Sequence, residues 1–180
     1  LDGVLIDAKD IHKDAFNIAL GKYAITKEEH LSTYDGLTTR QKLEKLSESK
    51  NLPIEMHKDI FNNKQKITLD KIRNLKPITH IVDLFKELKN RGVKIGVCTN
   101  SIRITTYNAL HSSQLMPYID IIKTNEDVRN SKPSPDMYWA AMMDLNLTPR
   151  DCVIVEDSPK GIEAAVLSGC NYISVKSPLD

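Results

Sequence analysis

The side chains most able to do chemistry stand far apart in the chain, and their types belong together. They are Asp2 at the start, Thr99 and Asn100 in the middle, Lys132, and the acidic pair Glu156-Asp157 near the end. Carboxylates offer hard oxygen donors suited to a divalent cation such as Mg²⁺. A lysine supplies a point charge for a phosphoryl group, and a hydroxyl supplies a hydrogen bond. A carboxylate cannot approach a phosphate dianion unless cations offset the repulsion, so acids, ammonium and metal would have to act as one set.

Stepping from these residues to what must hold them, each follows a short apolar run. Val93-Lys94-Ile95-Gly96-Val97-Cys98 ends at Thr99-Asn100-Ser101, and Cys152-Val153-Ile154-Val155 ends at Glu156-Asp157. Residues 119–123 form a second strand candidate leading to Lys132, and residues 171–175 a fourth. Between them lie helical patterns. Ile81, Leu84, Phe85 and Leu88 make one face, stopped at Arg91-Gly92. Ser101 is placed to cap a helix running to about His111. Ser134-Pro135 opens a helix to Leu145, in which Tyr138, Trp139, Met142 and Met143 read as a core stripe. Ser158-Pro159 opens another that closes at Gly169. Alternating strands and helices predict an α/β fold, a Rossmann-like parallel sheet with helices on both faces. Ligands bind such a sheet beyond the carboxyl ends of its strands, where these residues fall.

The stretch between residues 10 and 75 reads differently. It is rich in Lys and Glu, with apolar positions at helical spacing: Ala15, Ile18, Ala19 and Leu20, then Leu43 and Leu46, then Ile60, Phe61, Ile67, Ile72 and Leu75. We expect three or four helices here and no strand. The division predicted is an α/β core over residues 1–10 and 76–180, with a helical cap inserted over residues 11–75.

The chain has 180 residues, 41% apolar and 27% charged, ordinary for a globular protein. Its net charge of +1 gives no electrostatic footprint for nucleic acid or an acidic membrane. No apolar run approaches the roughly 18 residues of a spanning helix. Cys98, Cys152 and Cys170 are widely spaced and odd in number, which argues for thiols in a reducing, cytoplasmic setting rather than a disulfide framework. His30, His57, His80 and His111 show no metal-ligand spacing.

Four segments, in order, resemble the motifs of the haloacid dehalogenase-like hydrolases. They are Leu1-Asp2-Gly3-Val4, Val97-Cys98-Thr99-Asn100, Ser131-Lys132-Pro133-Ser134-Pro135-Asp136 and Val153-Ile154-Val155-Glu156-Asp157-Ser158. The inserted helices are similar to the cap of the β-phosphoglucomutase and sugar-phosphate phosphatase branch, and Tyr34-Asp35-Gly36-Leu37-Thr38-Thr39-Arg40 resembles its substrate-facing loop.

The resemblance implies roles. Asp2 is the general acid/base and a metal ligand through its carbonyl, and Thr99 with Asn100 binds phosphate. Lys132 neutralises the nucleophile and phosphoryl oxygens, while Asp157 and Glu156 hold Mg²⁺. Arg40 reaches a distal phosphate, and His12 occupies a position at the cap hinge, where a histidine is more often structural.

The activity implied is a Mg²⁺-dependent phosphatase of a small phosphorylated metabolite, a sugar phosphate, with a β-phosphoglucomutase-like mutase as the close alternative. The family's nucleophile is the first aspartate of D-x-D, which would precede Leu1. The expectation from that departure is an N-terminally incomplete chain, inactive as it stands, with a break in its sheet between the strands ending at Cys98 and Val155. A non-catalytic binding module is the reading of a different class.

Overall fold

The computed structural model describes residues 1–178; Leu179 and Asp180, expected at the end of the core, lie outside the described residues. The helical part comprises α1 (Lys9–Leu20), the single turn α2 (Lys27–Glu29), α3 (Thr39–Lys50) and α4 (His57–Ile72). The remainder runs α5 (Thr79–Asn90), β1 (Gly96–Cys98), α6 (Arg103–Ser112), β2 (Ile121–Lys123), α7 (Asp136–Leu145), β3 (Val153–Glu156), α8 (Pro159–Ser168) and β4 (Asn171–Ser174).

All strand pairing is parallel, as alternating strands and helices require. β1 pairs with β2 in the register Val97 to Ile122, and β3 with β4 in the register Ile154 to Tyr172. No ladder joins the two pairs among the described residues. The ladders carry on past the strand ends that matter. Thr99 N–H donates to the Lys123 carbonyl at 2.9 Å, and Val175 N–H to the Glu156 carbonyl at 2.8 Å. The residues flanking the site are therefore fixed by sheet hydrogen bonds.

β1 is shorter than the apolar run that announced it. Ile95 lies just outside it: its N–H donates to the Asp120 carboxylate at 2.7 Å, while its carbonyl accepts from Asp120 N–H at 2.8 Å. Two helix starts also differ from expectation. α6 is preceded by Ile102 with no side-chain cap, because Ser101 Oγ donates to Asp2 at 3.1 Å. α7 begins one residue later than Ser134-Pro135 suggests, at Asp136. α8 starts as expected, with Ser158 Oγ accepting from Gly161 N–H at 3.1 Å and Pro159 in the first turn.

Side-chain burial follows helical geometry, with instructive exceptions. In α1 the packed face is Ala15, Phe16 and Leu20, while Ile18, two residues from Phe16, points outward. In α5 Ile81, Val82 and Phe85 are buried and Leu84 is exposed, a rotation of the expected face. In α7 Tyr138 and Met142 pack inward, but Trp139 and Met143 face out, so the expected core stripe is only half correct. Trp139 satisfies its indole N–H on the Ser168 carbonyl at 3.2 Å. Cys98 and Cys152 are half-buried, Cys170 is buried, and all three are unpaired thiols.

The buried apolar residues divide by region. Phe16, Leu20, Ile25, Tyr34, Leu43, Leu46, Leu52 and Ile60 form a cluster of their own within α1–α4. A second surrounds β1 with Ile81, Phe85 and Leu110, and a third joins Tyr138, Met142, Ala164 and Ala165 beneath β3. Ile6, Ala8, Ile72 and Ala109 make the small cluster where the chain enters α1 and leaves α4. Burying each large side chain contributes roughly 1.5–3 kcal/mol. Among the described residues, no helix is long and apolar enough to cross a membrane.

Candidate active site

Strand ends and loop turns bring the seven expected residues to one cavity of about 490 Å³: Asp2, Arg40, Thr99, Asn100, Lys132, Glu156 and Asp157 all line it. Asp2 sits in a tight turn in which the Leu1 carbonyl accepts from Leu5 N–H at 2.8 Å. Gly3 follows at φ +77°, a conformation that favours glycine. A β-carbon on Gly3 would lie 2.8 Å from Asp157 Cγ, so the glycine also permits the Asp157 carboxylate to lie against the Asp2-Gly3 turn.

Asp2 is held at both oxygens. His12 Nε2 lies 3.1 Å from Oδ1, and Ser101 Oγ donates to Oδ2 at 3.1 Å. Lys64 Nζ lies 3.1 Å from His12 Nδ1. A charged ammonium only donates, so Nδ1 accepts and the ring proton resides on Nε2, aimed at Asp2. Burial opposes ionisation of Asp2, but the interactions with the His12 Nε2–H and the Ser101 hydroxyl outweigh it and hold the carboxyl below the usual range.

Lys132 is buried, 5% exposed. Its ammonium donates to the Cys98 carbonyl at 2.9 Å, pairs with Glu156, and stands 4.8 Å from the centre of the Tyr138 ring. Tyr138 Oη donates to the same Glu156 oxygen at 2.6 Å. Burial works to raise the Glu156 pKa, yet the Lys132 charge keeps it lowered. Burial and the adjacent carboxylate push the Tyr138 phenol up, so it remains a donor.

Thr99 is buried, and its Oγ accepts from Ser101 N–H at 3.1 Å while its hydroxyl proton is available to a ligand. Asn100 spends its side chain on backbone. Its amide donates to the carbonyls of Gly36 and Lys132 at 2.9 and 3.1 Å, and its oxygen accepts from Lys132 N–H at 3.0 Å. It therefore ties the Gly36 loop of the helical part to the Lys132 loop of the sheet part. Arg40 is exposed and stacks 5.7 Å over the Phe61 ring. Thr38 caps α3 in a reciprocal arrangement with Gln41. Asp127 is a structural acid, accepting from Thr124 and pairing with Arg103.

Among the described residues no three His, Cys, Asp or Glu side chains stand close enough to form a ready-made metal cage. The donor chemistry nevertheless suits a hard cation. Asp157 Oδ2 is buried, and its partner is the half-exposed Lys9 ammonium. Asp157 together with Asp2 would hold Mg²⁺ through oxygens, while Glu156 is already neutralised by Lys132.

Lys9, Lys42, Lys64 and Ser101 also line this cavity and were not among the expected site residues. Lys64 had a signal, since it lies four residues after Ile60 and eight before Ile72 on the buried stripe of α4. His12 had one too, four residues before buried Phe16 on α1.

A carboxylate, hydroxyl, ammonium and acidic pair beside the ends of parallel strands suit a phosphoryl group held with a cation. The profile of the haloacid dehalogenase-like hydrolases matches residues 1–175, and the chain belongs to that family. It is 26% identical over 183 residues to hexitol phosphatase A of Escherichia coli, covering 100% of this chain and 82% of that protein. It is 26% identical to a phosphorylated carbohydrates phosphatase of Thermotoga maritima, covering 96% and 81%. In fold it is similar to β-phosphoglucomutase of Clostridium difficile (TM-score 0.84, 21% identity, 99% and 88% covered). It is also similar to CbbY of Rhodobacter sphaeroides in complex with phosphate (TM-score 0.84, 23% identity, 97% and 82% covered).

Proposed function

We propose that this chain is the substrate- and metal-binding body of a Mg²⁺-dependent phosphatase acting on a small phosphorylated sugar. The observation that carries it is the convergence of Asp2, Thr99, Lys132 and Asp157 on one cavity. The phosphatase names of the two relatives support hydrolysis over isomerisation. Residues 11–75 are read as the cap that excludes water and admits substrate, with Asn100 as the contact between cap loop and core. The three free thiols support a reducing, cytoplasmic location.

Each residue has a job that follows from its surroundings. Lys132, fixed by Glu156 and the Cys98 carbonyl, presents positive charge to the phosphoryl oxygens. Thr99 donates its hydroxyl to one of them. Asp2, kept ionised by His12, is placed to take or return the proton of the ester oxygen. Bound Mg²⁺ supplies Lewis-acid stabilisation of the phosphoryl charge. The resemblance implies an acceptor carboxylate, so turnover is tested on a variant with an apolar strand ending in aspartate fused ahead of Leu1.

With hexose phosphates and Mg²⁺, that protein is expected to release inorganic phosphate; isomerised sugar phosphate instead would indicate the mutase, and ligand binding without turnover the binding module. Asp157→Asn removes a buried oxygen charge and is expected to weaken Mg²⁺ binding by about tenfold or more in calorimetry. Unchanged Mg²⁺ affinity would remove Asp157 from the metal site. Lys9→Met should act oppositely. The ammonium that competes for the same carboxylate is gone, and Mg²⁺ should bind about threefold to tenfold more tightly.

A further inference from the structure

Cys152 and Cys170 immediately precede β3 and β4, and the register of those strands makes them neighbours. Val153 pairs with Asn171, so one step back Cys152 stands beside Cys170. Cys152 already has extended backbone, at φ −119° and ψ 144°. The turns leading into the two strands touch, since a β-carbon on Gly169 would meet Pro149 Cβ at 3.8 Å. Adjacent strands run about 4.8 Å apart, inside the roughly 4.4–6.8 Å that a disulfide spans between α-carbons.

The two side chains also share a face. Cys152 lies two residues before Ile154, and side chains alternate along an extended chain. Both pack against the cluster that contains Cys170, Tyr138, Met142, Ala164 and Ala165. Burial and the nearby Cys170 sulfur push the Cys152 thiol up, so the reduced pair is neutral. Half-buried Cys152 can be reached from solvent, whereas Cys170 is buried and donates its S–H to Met142 Sδ at 3.6 Å. The third thiol, Cys98, ends β1 and donates to the Met137 carbonyl at 3.5 Å.

We propose that Cys152 and Cys170 are a redox pair that closes into a disulfide between the bases of β3 and β4 when a low-molecular-weight disulfide is in excess. The Cys152 thiol loses its proton to solvent, and the thiolate attacks one sulfur of the reagent and expels the other as a thiolate. Cys170, deprotonated in turn, gives up Met142, attacks the Cys152 sulfur of the mixed disulfide and expels the second thiolate. The chain loses two hydrogens and the reagent is reduced to two thiols. The bridge encloses β3 and α8, the segment that delivers Glu156 and Asp157. In a reducing compartment the pair stays open.

The test treats the folded 180-residue chain with oxidised glutathione at mildly alkaline pH, followed by alkylation and trypsin. Cleavage after Arg150, Lys160 and Lys176 puts the two cysteines on separate peptides, residues 151–160 and 161–176. The expected product is these two peptides joined, lighter than their sum by two hydrogens, with Cys98 alkylated. Cys170→Ser is expected to stop at a glutathione adduct on Cys152. The bridged chain should also unfold about 5 °C higher than the reduced chain, because the unfolded loop is restricted. A lasting glutathione adduct on Cys152 of the parent chain, a bridge to Cys98, or no reaction while the chain is folded overturns the pair. A bridged chain with a lowered thermal midpoint overturns it too, because the bridge then does not fit the native register.

Discussion

Lys132→Met is expected to lower the stability of the chain by about 3–5 kcal/mol, seen as a fall of roughly 10 °C in the thermal midpoint. The reason is the carboxylate left behind. Both side chains of the Lys132–Glu156 pair are only 7% exposed. Removing the ammonium strands a buried negative charge whose remaining side-chain donor is Tyr138. The sign with pH follows. Glu156 has a lowered pKa in the folded state, so its contribution is present above the ordinary carboxylate range and lost as pH falls through the lowered value. The gap between the parent chain and Lys132→Met should therefore be widest near neutrality and narrow in acid. Adding Glu156→Gln to Lys132→Met removes the stranded charge and should recover most of the loss. A double variant as unstable as the single one would show that packing, not charge, dominates.

Gly161→Ala should also destabilise, against the usual direction for a helix. Alanine normally improves a helix interior by about 1 kcal/mol over glycine. Here the added methyl would overlap the Glu156 carboxylate, with Oε1 only 2.8 Å away and the other carboxylate atoms nearer still. Gly161 is itself buried in the first turn of α8. The carboxylate must move off Lys132 or the helix must shift, and the expected net cost is about 1–3 kcal/mol by chemical denaturation. In a Glu156→Ala background there is no carboxylate to strike, and the same substitution should become neutral or favourable. A cost that persists there would place the clash elsewhere. The glycine thus serves to let a helix start directly against the acid that ends β3.

Much of the site was legible before any coordinates, because strand-end chemistry is local. An apolar run ending in Thr99, or in Glu156-Asp157, states both the strand and the residue delivered beyond it. The cap-proline signature at Ser158-Pro159 fixed the start of α8, since hydroxyl and proline act on backbone groups within one turn. The helical stretch between residues 10 and 75 announced itself by apolar periodicity, although the packed face of α1 was misjudged by one position at Ile18.

What the sequence could not state were contacts between residues distant along the chain. Ser101 reads as a helix cap, and only the approach of Asp2, 99 residues away, turns its hydroxyl to another use. Asn100 reads as a phosphate ligand, and the fold spends its amide on Gly36 and Lys132. Lys64 reads as one charge on a lysine-rich helix until α1 and α4 pack and bring it to His12, 52 residues away. The sequence by itself determined the fold class, the order of the elements and the acids, hydroxyl and lysine at their ends. The tertiary structure alone decided which charges are compensated and which are not, because that depends on through-space distances in a low-dielectric cavity and leaves no trace in local spacing.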